Sequence, residues 1–289
     1  MTGLSTPWSR ALGLSVPIVN APMGGAAGAA LAAAVSRAGG LGMVGMGSAG
    51  TVDLLDAQLR ELDTSGRPFG IGLVHWVVAD QPQLLATALA ARPTLLSVSF
   101  GEWSWIRRAH DVGVMAAAQV SDLRTARRAV EAGADVVIAR GAEAGGHGTP
   151  AVGTLPLLAE ILDDVSVPVL AAGGISSGRA LAAVLAAGAS GAWIGTALAA
   201  CTESLTPEPA RRVMLEAADT DTVLTRDHDI AHGYAWPPEF PERVIVVRND
   251  AEAGVNAGQG VGHLRAVRSA ADVISDFTAE AGTLLQRWC

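Results

Sequence analysis

Short β-branched runs alternate with alanine-rich stretches at a spacing of about 20 to 30 residues, the alternation recurs eight times, and it stops after residue 196 with no ninth unit. Parallel strands joined by crossover helices produce that alternation, and eight units in about 180 residues are what a closed ring of strands needs. The sequence therefore predicts an α/β protein, a (β/α)8 TIM barrel, with an irregular C-terminal extension and a closing helix.

The expected strands are 16–21 (VPIVNA), 40–45 (GLGMVG), 69–74 (FGIGLV), 94–100 (TLLSVSF), 112–119 (VGVMAAAQ), 134–140 (ADVVIAR), 167–172 (VPVLAA) and 191–196 (GAWIGT). Helices fall between them. One runs from Leu123 to Ala132, opened by the cap Ser121-Asp122 and closed by Gly133; another runs from Arg179 to Ala187 and is closed by Gly188. Beyond the barrel the sequence predicts a helix at 207–218, an irregular Pro-rich stretch at 225–244, a Gly-rich stretch at 251–263 and a closing helix from Leu264 to about Leu285. Residues 1–204 form the expected barrel, and 205–289 a cap packed on it, since no linker separates two domains. Such a segment covers a catalytic mouth or makes a homodimer contact.

Composition removes several classes of function. Half of the 289 residues are apolar and 17% are charged, which excludes global disorder. No apolar run approaches a membrane span and no signal peptide precedes the chain, so the expectation is a soluble cytoplasmic protein without a membrane partner. A net charge of −8 repels nucleic acid. The chain has no lysine, and all 20 basic residues are arginine, which rules out Schiff-base chemistry because guanidinium does not deprotonate. Two cysteines, Cys201 and Cys289, make neither a disulfide framework nor a thiolate zinc site; they read as core filler and exposed tail.

Three glycine-rich patterns fall at expected strand ends. Gly45-x-Gly47-x-x-Gly50 has the spacing of a dinucleotide fingerprint, but the next strand ends Gly72-Leu73-Val74-His75 without the acidic residue that holds a ribose, so it reads as a tight strand-to-helix turn. GAEAGGHGTP (141–150) follows the sixth strand with four glycines in eight residues and one histidine, His147, whose imidazole suits proton transfer near neutral pH at the mouth of a barrel. Gly173-Gly174, the helix start Ser176-Ser177-Gly178, and Gly195-Thr196 offer backbone N–H groups and a hydroxyl at the seventh and eighth strand ends, where barrels hold phosphate; Arg179 is placed to neutralise its charge. His228 and His232 stand at i, i+4 spacing, but without the glutamate of a metalloprotease helix. Asp227 and Asp229 read as loop residues beside them, and no metal is expected. His75, His110 and His263 read as structural, with His75 and Trp76 near the mouth.

Taken together, PIVNAPMGGAAG (17–28), AGGLGMVG (38–45), PFGIGL (68–73), GAEAGGHGTP (141–150) and PVLAAGGISSGRALAAVLAAGASGAWIGTAL (168–198) resemble the nitronate monooxygenase family, over about residues 14 to 204. The resemblance implies an FMN-binding TIM barrel that oxidises alkyl nitronates with molecular oxygen. It implies that Ala21, Pro22 and Met23 line the flavin, that Gln119 approaches its pyrimidine side, and that Gly145 and Gly146 pack against it. Ala172, Gly173, Gly174, Gly195 and Thr196 would hold the phosphate, and His147 would be the catalytic residue. Family members often carry Asn where this chain has Gly72, so a contact there is lost or made by backbone. Some relatives use lysine near the pyrimidine; here Gln119 and helix dipoles are left to stabilise the reduced flavin. The partners implied are a small nitronate or nitroalkane and oxygen. An FMN-type enoyl-acyl-carrier-protein reductase using NAD(P)H, and a non-catalytic flavin- or phosphate-binding barrel, are the alternative readings.

Overall fold

The computed structural model describes residues 4–246 and 254–288. Cys289 and part of the Gly-rich stretch, 251–253, lie outside them.

Twelve strands follow in chain order: β1 Ile18–Asn20, β2 Gly42–Gly45, β3 Phe69–Val74, β4 Leu95–Ser99, β5 Met115–Val120, β6 Val136–Arg140, β7 Gly146–His147, β8 Val169–Ala172, β9 Gly191–Ile194, β10 Thr222–Thr225, β11 Glu242–Val246 and β12 Gly254–Asn256. Eight of them form one parallel sheet in the order β1-β9-β8-β6-β5-β4-β3-β2. A single parallel bridge, Val19 to Leu41, brings the last strand back to the first. The fully buried Asn20 closes the rest of that seam with its side chain: its Nδ2 donates to the Met43 carbonyl at 2.8 Å, and its Oδ1 accepts from the Met43 N–H at 2.6 Å. The eight expected barrel strands all occur. Their ends are one to three residues shorter in places, as where Gly113 turns at φ 75° and delays β5 to Met115.

Strand alternation divides the core. Val19, Met43, Leu95, Ala117, Val136, Ile138, Leu170 and Trp193 fill the barrel interior, with Trp8 and Leu14 from the N-terminal segment packed on the same cluster. Ile18, Val44, Leu96, Val98, Val137 and Ala171 face the surrounding helices. The same period carries 117 on to Gln119 and 136 and 138 on to Arg140, so both polar side chains belong to the inward row at the strands' carboxyl ends. The helix Leu123–Glu131 is capped by Asp122, whose carboxylate accepts from Thr125 N–H at 2.7 Å, and Gly133 follows at φ 97°.

The segment 225–244 is irregular over 233–241, where its prolines fall, but short regular elements flank that stretch. β10 pairs antiparallel with β11, β11 pairs with β12, and the helix Asp227–His232 lies between β10 and β11. Its strands are short, and β10 and β7 reach β11 from well outside a tight turn, so no hairpin signal announces those pairings. β11 also pairs with β7, setting Glu242 opposite His147 and Arg243 opposite Gly146. The closing helix is Ala270–Leu285, capped by Ser269, rather than starting at Leu264. It packs on the helix Gly178–Ala186 so closely that a Cβ at Gly178 would stand 2.5 Å from Glu280 Cβ.

Candidate active site

The barrel's strand ends and the small sheet enclose a cavity of about 790 Å³, within the range of cofactor and ligand sites. His147 and the twelve residues that the family resemblance assigns to the flavin all border it. Ala21, Pro22 and Met23 come from the turn after β1, Gly72 from β3 and Gln119 from β5. A Cβ on Gly72 would overlap the ring of Pro22, so the proline ring occupies the space that a side chain at 72 would need. Gly24 and Gly47 touch through their backbones, which makes the Gly45-x-Gly47-x-x-Gly50 pattern a packing turn.

Across the cavity lie Ala172, Gly173 and Gly174, then Gly195 and Thr196. Gly173 and Gly174 take φ of 115° and 69°, left-handed angles that turn successive N–H groups the same way. Among the described residues the N–H groups of Gly174, Ile175 and Ser176 donate to nothing, which leaves a cradle for an anion. Thr196 Oγ1 accepts from Gly258 N–H at 2.9 Å, so its own proton is what it can offer. Arg179 is not part of this cradle. Its side chain is 74% exposed and pairs with Glu280 at 3.5 Å.

Gly145, Gly146 and His147 form the third wall. Gly145 also meets the cap: a Cβ there would stand 2.6 Å from the backbone of Ala257 and Gly258. His147 Nε2 lies 2.9 Å from Asp229 Oδ2. Asp229 is 2% exposed, so this residue, which sequence reasoning treats as part of a loop, is the buried partner of the histidine. A carboxylate only accepts, hence Nε2 carries the proton and Nδ1 the lone pair. Burial lowers the imidazole pKa, and the hydrogen bond and charge of Asp229 work against that shift. Trp236 stacks flat on the imidazole, with ring centroids 3.4 Å apart and 6° between planes, and packs edge-on against Trp76 and Phe100.

Behind the pair, Glu242 is 1% exposed and accepts from His228 Nδ1 at 3.0 Å; its carboxyl pKa is pushed up by burial and by the nearby Asp229. His147, Asp229 and Glu242 lie within 4.8 Å of one another. His228 and His232 do share a helix, but His228 turns to Glu242 and His232 Nδ1 donates to the His228 carbonyl at 2.9 Å. Beneath the loop, Arg140 Nη2 donates to the carbonyls of Gly145 and Gly146 at 3.1 Å each. Burial lowers its pKa to about 10, so it remains a cation at neutral pH. Elsewhere, Cys201 is buried with its thiol pushed up to about 12, an inert core group. His110 pairs with Asp135 at 2.9 Å on the surface.

An eight-stranded barrel whose carboxyl-end cavity joins a backbone anion cradle to a buried histidine–carboxylate pair is the architecture of a barrel enzyme that handles protons beside a charged cofactor or substrate. The sequence model of nitronate monooxygenase matches residues 6–234, and the chain belongs to that family. It is accordingly an oxidoreductase that works with a flavin.

Its relatives spread over more than one reaction. Nitronate monooxygenase of Paraburkholderia phytofirmans is 33% identical over 263 residues, covering 74% of this chain and 71% of its own length. A Rhodococcus jostii protein is 32% identical over 285 residues, 98% of this chain and 76% of its own; its name is (3aS,4S,5R,7aS)-5-hydroxy-7a-methyl-1-oxo-octahydro-1H-indene-4-carboxyl-CoA dehydrogenase. Among solved structures, FabK from Thermotoga maritima superposes with a TM-score of 0.87 at 27% identity, covering 98% of both chains. Nitroalkane oxidase from Streptomyces ansochromogenes gives 0.84 at 29%, covering 97% of this chain and 100% of its own. No described helix is long and apolar enough to cross a membrane.

Proposed function

We propose that the protein is an FMN-dependent monooxygenase that oxidises alkyl nitronates, and nitroalkanes once their α-proton is removed, with molecular oxygen to a carbonyl compound and nitrite. The observation that supports this most is the convergence of thirteen residues, chosen from sequence and drawn from strands across the whole barrel, on one cavity beside a partnered histidine. The cradle at Gly173–Gly174 and Gly195–Thr196 suits one phosphate, and the chain lacks a dinucleotide fingerprint, which favours FMN over FAD.

When bound, FMN supplies the electron acceptor. The backbone of Ala21, Pro22, Met23, Gly72, Gly145 and Gly146, with the Gln119 side chain, would hold its ring. Ala172, Gly173, Gly174, Gly195 and Thr196 would hold its phosphate. His147, with Nε2 fixed by Asp229, would take the α-proton of a neutral nitroalkane at Nδ1. Residues 205–289 would serve as the cap of the same domain, excluding water through Trp236 and its aromatic neighbours. The test is the visible spectrum of the purified protein, followed by identification of the released flavin. A colourless protein that binds no added FMN refutes the reading.

The likeness to FabK and the carboxyl-CoA name of the Rhodococcus jostii relative favour a second reading, in which the same cavity takes a thioester and, in a reductase, NAD(P)H would reduce the flavin. Rapid anaerobic bleaching of the flavin by NADPH, with no oxygen uptake on addition of ethylnitronate, would select it.

A further inference from the structure

Arg140 is 6% exposed, and among the described residues no carboxylate lies within salt-bridge distance of it. Its charged neighbours in the site are Arg243, a like charge, and His147. A buried cation without a counter-ion is costly and calls for an anion. The guanidinium is held from one side only. Nη2 clasps the loop carbonyls, whereas Nε and Nη1 have no hydrogen-bond partner among the described residues. The space for it is kept by Gly148, where any Cβ would overlap the guanidinium. It bonds the carbonyl just before His147 and abuts the residue just after, so it lies directly beneath the histidine. Among the described residues it is also the sole arginine bordering the cavity, in a chain with no lysine.

We propose that Arg140 is the substrate's oxyanion-binding residue, paired in function with His147: the histidine takes the proton of a carbon acid, and the arginine holds the negative charge this leaves on the substrate's oxygens. The inference rests on the proposed role of His147 and names the substrate class more closely. In the step the C–H bond breaks and an N–H bond forms at Nδ1. The freed electron pair moves into the carbon–nitrogen bond of a nitro compound, or the carbon–carbon bond of an enolisable thioester, and the charge settles on oxygen. Nothing is oxidised or reduced at this stage. A planar fork of donors matches the flat O–N–O or O–C face of such an anion, and a fixed charge where negative charge develops is among the largest single contributions to catalysis. Substrates without an acidic C–H beside an electron-withdrawing oxygen group fall outside the class.

Nitrate, flat and singly charged with the same O–N–O face, is the probe. Calorimetric titration of the flavin-loaded protein is expected to show nitrate binding at least tenfold weaker in Arg140→Met and within about threefold of wild type in Arg140→Lys, with KM for ethylnitronate rising in parallel. Wild-type protein that binds no nitrate, or Arg140→Met protein that stays yellow with unchanged nitrate affinity, would overturn the proposal. So would equal loss in both variants, because the loss would then follow the broken carbonyl clasp and not the charge. Unchanged nitrate affinity with a lower flavin reduction potential in Arg140→Met alone would assign the charge to the cofactor and overturn the substrate role. Should Arg140→Met fail to fold, Gly148→Ala, which displaces the guanidinium while keeping its charge in the protein, must weaken nitrate binding. If it does not, the proposal falls. A colourless protein that still binds nitrate through Arg140 would remove the flavin reading and leave this one standing.

Discussion

The two walls of the cavity are made of different material. The barrel rim from β1, β3, β8 and β9 presents mostly backbone: glycines, Pro22, and N–H groups with no partner among the described residues. The cap presents side chains that titrate or stack, namely Asp229, Glu242, His228 and Trp236. Backbone cannot be changed by substitution without altering φ or adding a Cβ, so a rim of this kind suits a ligand part that never varies. Side chains change freely, so the cap suits the part that differs between relatives. A family whose members include a nitronate monooxygenase and a carboxyl-CoA dehydrogenase fits that division.

The division breaks most sharply at His147. His147→Ala is expected to lower turnover of a neutral nitroalkane by about 10²–10⁴-fold, the usual worth of a positioned base, and that of the pre-formed nitronate far less, with flavin occupancy unchanged. Oxygen uptake with both substrate forms measures it; if flavin were lost as well, cap and rim would not be separable. Asp229→Asn should cost about 10–10²-fold in the same assay by freeing the imidazole tautomer. The pH profile sharpens the point. The basic form of His147 is the active one, so activity rises with pH through its pKa. Asp229 opposes the downward pull of burial, and its neutralisation should move the inflection to lower pH even as the plateau falls.

On the rim, Gly174→Val places a β-branched residue at φ 69°, a strain of about 1–3 kcal/mol localised to the cradle. Flavin affinity is expected to drop about tenfold while the far-ultraviolet circular dichroism is retained; equal flavin affinity would remove the cradle from the phosphate site. The smallest effect is set by Arg179, whose exposed pair with Glu280 is worth about 0–1 kcal/mol. Arg179→Ala should change flavin affinity less than twofold in an equilibrium titration.

The barrel was legible because most of its strands carry a local signal, an apolar run closed by a glycine turn as at Gly101, Gly141, Gly173 and Gly195, and the closed ring needs only that the signal repeat. Caps were legible for the same reason, as at Asp122 and Gly133. The cap sheet was not. β10 and β11 meet across a helix and three prolines, Pro237, Pro238 and Pro241, with no two-residue turn to mark their pairing. Asp229 stands 82 residues from His147, and nothing local distinguishes it from Asp227 beside it. Arg140 ends a strand whose inward period was readable, yet in a chain where every basic residue is arginine it looks like any other. The i, i+4 histidines were rightly seen as a pair; what they do was decided by Glu242, ten residues beyond His232.

The pairing of β7 with β11 also sets an order of events during folding. Contacts between neighbours in sequence build the strand–helix units early, whereas edges between remote segments are slow to close, both the β1–β9 seam that pairs Ile18 with Ala192 and the β7–β11 edge that pairs His147 with Glu242. The His147 loop therefore waits, glycine-rich and without its edge partner, until the chain's last third has docked. Refolding should restore helical signal first and the Trp236–His147 stack last, and the enzyme's competence should date from that final event.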